Sequence, residues 1–307
     1  MQYLTTLLLA LCLFTTGCQA QPADDPAPDA TERAGGAYDQ PVPDPDPEDL
    51  RLFEEVMDAA RAERLHERPI GEIMVAVGEQ FEGMPYAAGM LDEPAEEQLI
   101  CTLNAFDCVT FVETALAMAR VIQAQDYSYD AFARHVRDTR YRDGEMDGYC
   151  SRMHYFTEWI ADNEARGSVR NVTREAGGVR FDKQIDFMTK HRSSYPRLVA
   201  ADSLFACIRE MEAGLAGMEL YYIPQDRISR AYDRLQAGDI IATATDIRGL
   251  DVTHTGLVYA NPDGTKGFLH ASTSGGVKVS PDLQRYVQNV DRQIGIIVAR
   301  PLERRGH

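Results

Sequence analysis

From Gly238 to the C-terminus the sequence is a succession of short β-type segments, whereas before that point nearly every apolar pattern is helical. Segments 239–244, 252–259, 267–271, 277–280 and 294–300 are rich in Val, Ile and Thr and are separated by turn residues. Apolar positions at helical spacing precede them. Leu50, Phe53, Val56, Met57 and Ala60 predict a helix over 48–63, and others are predicted over 70–79, 128–138, 151–165 and 202–213. Helices first and an antiparallel sheet afterwards predict an α+β fold.

One helix carries a feature that packing does not require. In Phe106-Asp107-Cys108-Val109-Thr110-Phe111-Val112-Glu113, Asp107 reads as an N-cap and Cys108 as the first helical residue. Apolar residues at 109, 112, 116 and 119 bury the opposite face. A cysteine in such a helix is by default a small core residue. At the positive end of a helix dipole, however, its thiol is expected to shift toward the reactive thiolate.

A nucleophile of this kind needs a base. His254 lies in Thr253-His254-Thr255-Gly256, followed by the turn Asn261-Pro262-Asp263-Gly264 and then Leu269-His270-Ala271-Ser272. Alternation through that hairpin puts His254 and His270 on one face of neighbouring strands, so one imidazole can orient the other. Cys108, His254 and His270 therefore form a candidate catalytic set of nucleophile, base and orienting group.

The 307-residue chain has 44% hydrophobic residues and a formal charge of −17, with no basic stripe, which argues against a nucleic-acid partner. No CxxC or HExxH spacing suggests zinc, and neither a metal nor a cofactor is expected. The apolar run Leu4 to Phe14 is too short to span a bilayer and leads to Thr15-Thr16-Gly17-Cys18. It resembles a bacterial lipoprotein signal, which implies residues 1–18 as a leader, lipidation of Cys18 and a membrane-anchored, periplasmic location. Cleavage after Ala20 is the alternative, with export either way. Residues 19–47 hold seven of the fifteen prolines with many Asp and read as a tether, and 48–303 as a single domain. Cys101, Cys150 and Cys207 leave room for at most one disulfide beside a free Cys108, with the pairing open.

With these residues placed, the chain resembles the NlpC-type branch of papain-like cell-wall hydrolases. The motifs are Gly83-x-Pro85-Tyr86, Phe106-Asp107-Cys108, Leu235-x-x-Gly238-Asp239-Ile240, Thr253-His254-x-Gly256 and Leu269-His270-Ala271-Ser272, in the family's order. The resemblance implies that the cysteine helix packs on the histidine-bearing sheet, and that Tyr86 contacts substrate or supports the oxyanion. Val109-Thr110 after the cysteine and a long, helical insertion before Gly238 narrow the likeness. With Arg140-Tyr141-Arg142-Asp143-Gly144, Ser151-Arg152-x-His154-Tyr155-Phe156 and Leu250-Asp251-x-Thr253-His254, they resemble the N-acetylmuramoyl-L-alanine amidase-like subfamily, first catalogued as a domain of unknown function.

That resemblance implies cleavage between the muramoyl lactyl group and L-alanine of a peptidoglycan fragment. Arg140, Arg142, Arg152, His154, Tyr155 and Asp251 are the candidate substrate-binding residues. For each arginine the competing expectation is a surface ion pair with Asp138, Asp143 or Asp147. Two other functions compete: an endopeptidase cutting between D-glutamate and the diamino acid, and a lipid-anchored muropeptide-binding protein without catalysis.

Overall fold

Helix α1, Pro47–Ala62, starts where Asp46 accepts from the Glu48 amide and a proline occupies the first helical turn. It buries Leu52, Phe53, Val56, Met57 and Ala60. Its buried Asp49 accepts from the Leu103 amide at 2.7 Å and so holds the chain entering the cysteine helix. The computed structural model describes residues 42–303; the expected leader, Cys18 and residues 19–41 of the tether lie outside the described residues. The described residues fall within one compact unit.

Helix α2 spans Ile70–Gln80, and α3, the cysteine helix, spans Cys108–Ala124. Every residue of α3 from Thr110 to Ile122 is buried, as in a helix enclosed on all sides. Helices α4, Tyr129–Arg140, and α5, Phe156–Ala165, follow. The expected start of α5 at 151 moves to 156 because Asp251 reaches across from the sheet. Its Oδ2 accepts from the Thr157 amide at 2.8 Å and hydroxyl at 2.9 Å, which fixes the first turn there.

The strands are β1 Val169–Asn171, β2 Val179–Arg180, β3 Tyr221–Pro224, β4 Ile240–Thr245, β5 Val252–Ala260, β6 Lys266–Ser272, β7 Gly276–Ser280 and β8 Gln293–Pro301. They form one antiparallel sheet in the order β2-β3-β8-β4-β5-β6-β7, with β1 also paired to β8. The five C-terminal strands are those expected. The insertion between α3 and β4, besides α4, α5 and α6, Asp202–Gly214, contributes β1, β2 and β3, which extend the sheet beyond β8.

Both faces of the sheet are covered. Ile240, Ala242, Leu257, Leu269 and Ile297 pack with the buried residues of α2 and α3. Ile241, Val258, Phe268, Ile296 and Val298 pack with Leu283 and Val287 of helix α7, Leu283–Gln288. Cys150 and Cys207 form a disulfide with Cα atoms 6.1 Å apart, tying the turn at Tyr149–Ser151 to α6, while Cys101 is buried and free.

Segment 83–87 is held on two sides. Gly83 N donates to Val277 O at 2.8 Å and Val277 N to Met84 O at 2.9 Å, while Phe106 N donates to Pro85 O and Ala87 N to Phe106 O. Tyr86 is thereby paired alongside Phe106, two residues from Cys108. This contact requires Gly276, whose φ is +71° and where a Cβ would lie 2.0 Å from Met84 O. Gly276→Ala is expected to cost at least about 2 kcal/mol, from the left-handed backbone and the clash together. Urea unfolding measures it, and an unchanged midpoint would refute this account of the segment.

Candidate active site

The start of α3 is a closed capping box. Asp107 Oδ1 accepts from Val109 N at 2.9 Å and Thr110 N at 2.8 Å, and Thr110 Oγ1 accepts from Asp107 N at 3.0 Å. The Cys108 amide is the one left over in this first turn, with no backbone acceptor among the described residues, and it faces its own sulfur. Thr255 Oγ1 donates to Cys108 O at 2.7 Å, which seats the helix start on β5 one residue from His254.

His254 Nε2 lies 2.7 Å from His270 Nδ1, with the rings nearly perpendicular. His270 Nε2 in turn lies 3.0 Å from Ser280 Oγ on β7. Gly256 leaves room for this pair, since a Cβ there would stand 2.7 Å from His270 Cβ. Tyr286 of α7 packs on His270 at 4.8 Å and on His254 at 5.9 Å between ring centres. The structure therefore gathers Cys108, His254, His270 and Tyr86, together with Thr255, Ser280 and Tyr286, which the sequence reading did not single out. The strand parity that relates His254 to His270 also relates His270 to Ser280, so that residue was available to the same reasoning. Tyr286, on a six-residue helix, had no such signal.

The thiol departs from expectation. Burial, and next the Asp107 carboxylate, push Cys108 up to about 11, while the amide and hydroxyl of Thr255 pull the other way. The residue that caps the positive helix end thus sets a negative charge beside the sulfur and offsets the dipole. Burial also depresses His254 to about 4 and, with His254 and Lys278 nearby, His270 to about 3. Tyr86 and Tyr286 are raised to about 12, first by burial and then by Cys108. At neutral pH the set holds a thiol, two uncharged imidazoles and two protonated phenols. In such a group a thiolate forms only as the thiol proton passes to a base, and the uncharged imidazoles are the bases the arrangement offers.

The candidate substrate-binding residues divide. Arg140, Arg152 and His154 line a cleft of about 260 Å³ that also includes Asp107, Val109, Glu113, Tyr149 and Tyr195. Within it Arg140 is buried against Glu113 Oε2 at 2.7 Å and Ile100 O, Arg152 pairs with Asp92 and Glu97, and His154 Nε2 donates to Tyr149 O at 2.9 Å. The other three do not line this cleft. Arg142 binds Glu158 and Cys150 O in a separate cleft of about 400 Å³ beside the disulfide. Tyr155 is buried, donating to Glu212 Oε1 and accepting from Met188 N. Asp251 is 1% exposed and committed to α5, so substrate binding is not its place. The ion-pair partners of all three arginines also differ from the expected Asp138, Asp143 and Asp147, because acids far away in sequence reach them first.

The family described as N-acetylmuramoyl-L-alanine amidase-like (AmiA-like) matches residues 76–296. The chain belongs to this family. It is an N-acetylmuramoyl-L-alanine amidase-like hydrolase. It is similar to the structure of an N-acetylmuramoyl-L-alanine amidase from Bacteroides uniformis, at 31% identity over 76% of this chain and 99% of that one, with a TM-score of 0.72. A Bacteroides fragilis protein provisionally named a xylanase is 35% identical over 73% of this chain and 98% of its own, with a TM-score of 0.68. A Legionella pneumophila protein at 20% identity, covering 83% and 97%, has a TM-score of 0.62 and supports the fold alone. No curated protein matches. Within the family match lie Tyr86, Cys108, His254 and His270, as well as Ser280 and Tyr286.

A thiol held near 11 reacts with iodoacetamide through its small thiolate fraction, which grows tenfold per pH unit until that value is approached. Labelling of Cys108 is therefore expected to accelerate steadily from pH 7 to 10, with Cys108→Ala as the blank. A plateau reached below pH 8 would instead establish a preformed thiolate.

Proposed function

We propose that this protein is a cysteine amidohydrolase of peptidoglycan fragments that cleaves the amide between the lactyl carbonyl of N-acetylmuramic acid and L-alanine of the stem peptide. The family supports the substrate class, and the seating of the Cys108 helix start on β5, one residue from the hydrogen-bonded His254–His270 pair, supports the chemistry. The single observation that carries the reading is the uncommitted edge of this site. His254 Nδ1 makes no hydrogen bond among the described residues, and the Cys108 amide meets only its own sulfur, on a capped, rigid helix seated beside the histidine strand.

In this reading the Cys108 sulfur attacks the lactyl carbonyl as its proton passes to His254 Nδ1. The Cys108 amide donates to the developing oxyanion, with the Tyr86 hydroxyl as second donor. His254 then protonates the nitrogen of L-alanine, the C–N bond breaks, and a muramoyl thioester remains. Water, deprotonated by His254, releases the acid and restores the thiol. The cleft on the Asp107 side holds part of the substrate, with Arg152 facing a stem carboxylate. The leader ending at Cys18 supports an exported, lipid-anchored protein meeting such fragments in the periplasm.

Mass spectrometry of defined muropeptides incubated with the protein tests the cut. Release of a stem peptide beginning with L-alanine is expected from the native protein and lost in Cys108→Ala. Cleavage after D-glutamate would reassign it as an endopeptidase, and no cleavage of any fragment would leave a binding protein. Arg152→Ala is expected to raise KM several-fold on stem-bearing substrate, whereas Arg142→Ala leaves KM within about twofold because its ion pair lies in the other cleft. Equal KM values for the two variants would remove Arg152 from substrate contact.

A further inference from the structure

The hydrogen-bonded chain in the sheet does not end at His270. His254 on β5, His270 on β6 and Ser280 on β7 step diagonally across three adjacent strands. Leu257 pairs with Leu269 and Phe268 with Ser280, so each step joins residues two positions out of register on one face. The contacts are 2.7 Å from His254 Nε2 to His270 Nδ1 and 3.0 Å from His270 Nε2 to Ser280 Oγ. Each imidazole here is uncharged and carries a single N–H, so the chain has a direction, and the direction that leaves His254 Nδ1 bare needs an acceptor at the far end.

We propose that Ser280 is a positioning residue that makes the productive tautomers of both histidines attainable, by giving the Nε2 proton of His270 an acceptor that it would otherwise lack in the buried sheet. This rests on the Cys–His reading of the site. With its proton at Nε2, His270 presents a bare Nδ1, which must accept from His254 Nε2–H. His254 is then left with a basic Nδ1, the nitrogen that takes the thiol proton. Reversing the chain puts a proton on His254 Nδ1 and leaves no base for Cys108. Without Ser280 the reversed chain is favoured, because an unmet N–H on His270 Nε2 is costlier in the buried sheet than an unmet lone pair; with Ser280 present the productive direction is fully hydrogen-bonded.

Two surrounding features keep the chain uncharged and confined to these partners. Lys278 stands directly across from His270, with its ammonium held by Ser274 O and Oγ, and a positive charge there disfavours a doubly protonated His270. His270 is also fully buried between Phe268, stacked at 4.7 Å, and Tyr286, so the side-chain partners of its nitrogens are His254 and Ser280. Ser280, at the end of β7, borders a cavity of about 250 Å³ lined also by Asp282, Arg285, Tyr286 and Asn289.

The test pairs a substrate-free reading of the tautomers with kinetics. Two-bond nitrogen–proton spectra of protein labelled with 15N-histidine are expected to show protons on Nε2 of both His254 and His270 in the native chain. Ser280→Ala should move both toward the Nδ1–H form and lower kcat on muropeptide about tenfold or more, with KM within about twofold and an unchanged melting temperature. Ser280→Thr, which keeps the hydroxyl, should restore both readings. The native tautomers persisting in Ser280→Ala with kcat within about twofold would overturn the proposal, as would failure of Ser280→Thr to rescue a variant that melts normally. If the native protein cleaves no muropeptide, the proposed substrate fails, while the spectra still decide the role of Ser280.

Discussion

The hydrogen bond from Thr255 Oγ1 to the carbonyl of Cys108 joins the two halves of this molecule at the place where chemistry is proposed. The helical half starts its capped helix there, and the sheet's histidine strand runs past it. Neither half contains a site alone. A helix that is buried from Thr110 to Ile122 cannot rotate or slide without disturbing the core, so the sulfur inherits the rigidity of the packing. The carbonyl itself is engaged in the helix, and a side-chain donor from β5 adds a second constraint on its direction.

The insertion shows how a polar segment is fixed to such a core. Its links are buried and charged or strongly hydrogen-bonded: Arg140 with Glu113 of α3, Asp251 with Thr157 of α5, and Tyr155 with Glu212 of α6. Burying charge is costly, and pairs of this kind contribute little net stability compared with apolar packing. What they do supply is a unique arrangement, since any other register leaves a charge unpaired. Glu113 likewise draws Arg140 away from solvent, as Asp92 and Glu97 draw Arg152. An arginine in an acidic chain is therefore a poor guide to anion binding until its partners are known.

Much of this was legible in the sequence, and the reasons for the rest are physical. Helix α1, the capped cysteine helix and the five C-terminal strands follow from periodicity and turn residues, which act over a few positions. The histidine pair follows from parity across one hairpin. Strands β1, β2 and β3 were missed because they have two to four residues each and exist only where a sheet partner is offered, β8 for β1 and β3, and β3 for β2. The commitments of Asp251, Tyr155 and Arg142 were missed because Thr157, Glu212 and Glu158 reach them through tertiary contact. The thiol was misjudged for a different reason. Its burial, which raises it most, comes from tertiary packing that a helical repeat does not reveal, and the Asp107 carboxylate that caps the helix adds to the rise instead of leaving the dipole to lower it.

The resulting pair of a thiol near 11 and an imidazole near 4 has a consequence for the proposed reaction. When a sulfur adds to an amide carbonyl, the intermediate can expel either group, and a thiolate leaves more readily than an amine anion. Forward collapse requires that the nitrogen be protonated first. An imidazolium buried beside uncharged His270, with no carboxylate behind it among its hydrogen-bond partners, is a stronger acid than one stabilised by aspartate. It is a weak base at rest, and for that reason an effective donor to the departing nitrogen. A histidine in the third position, kept neutral by burial and by Lys278, thus favours the step that amide cleavage finds hardest.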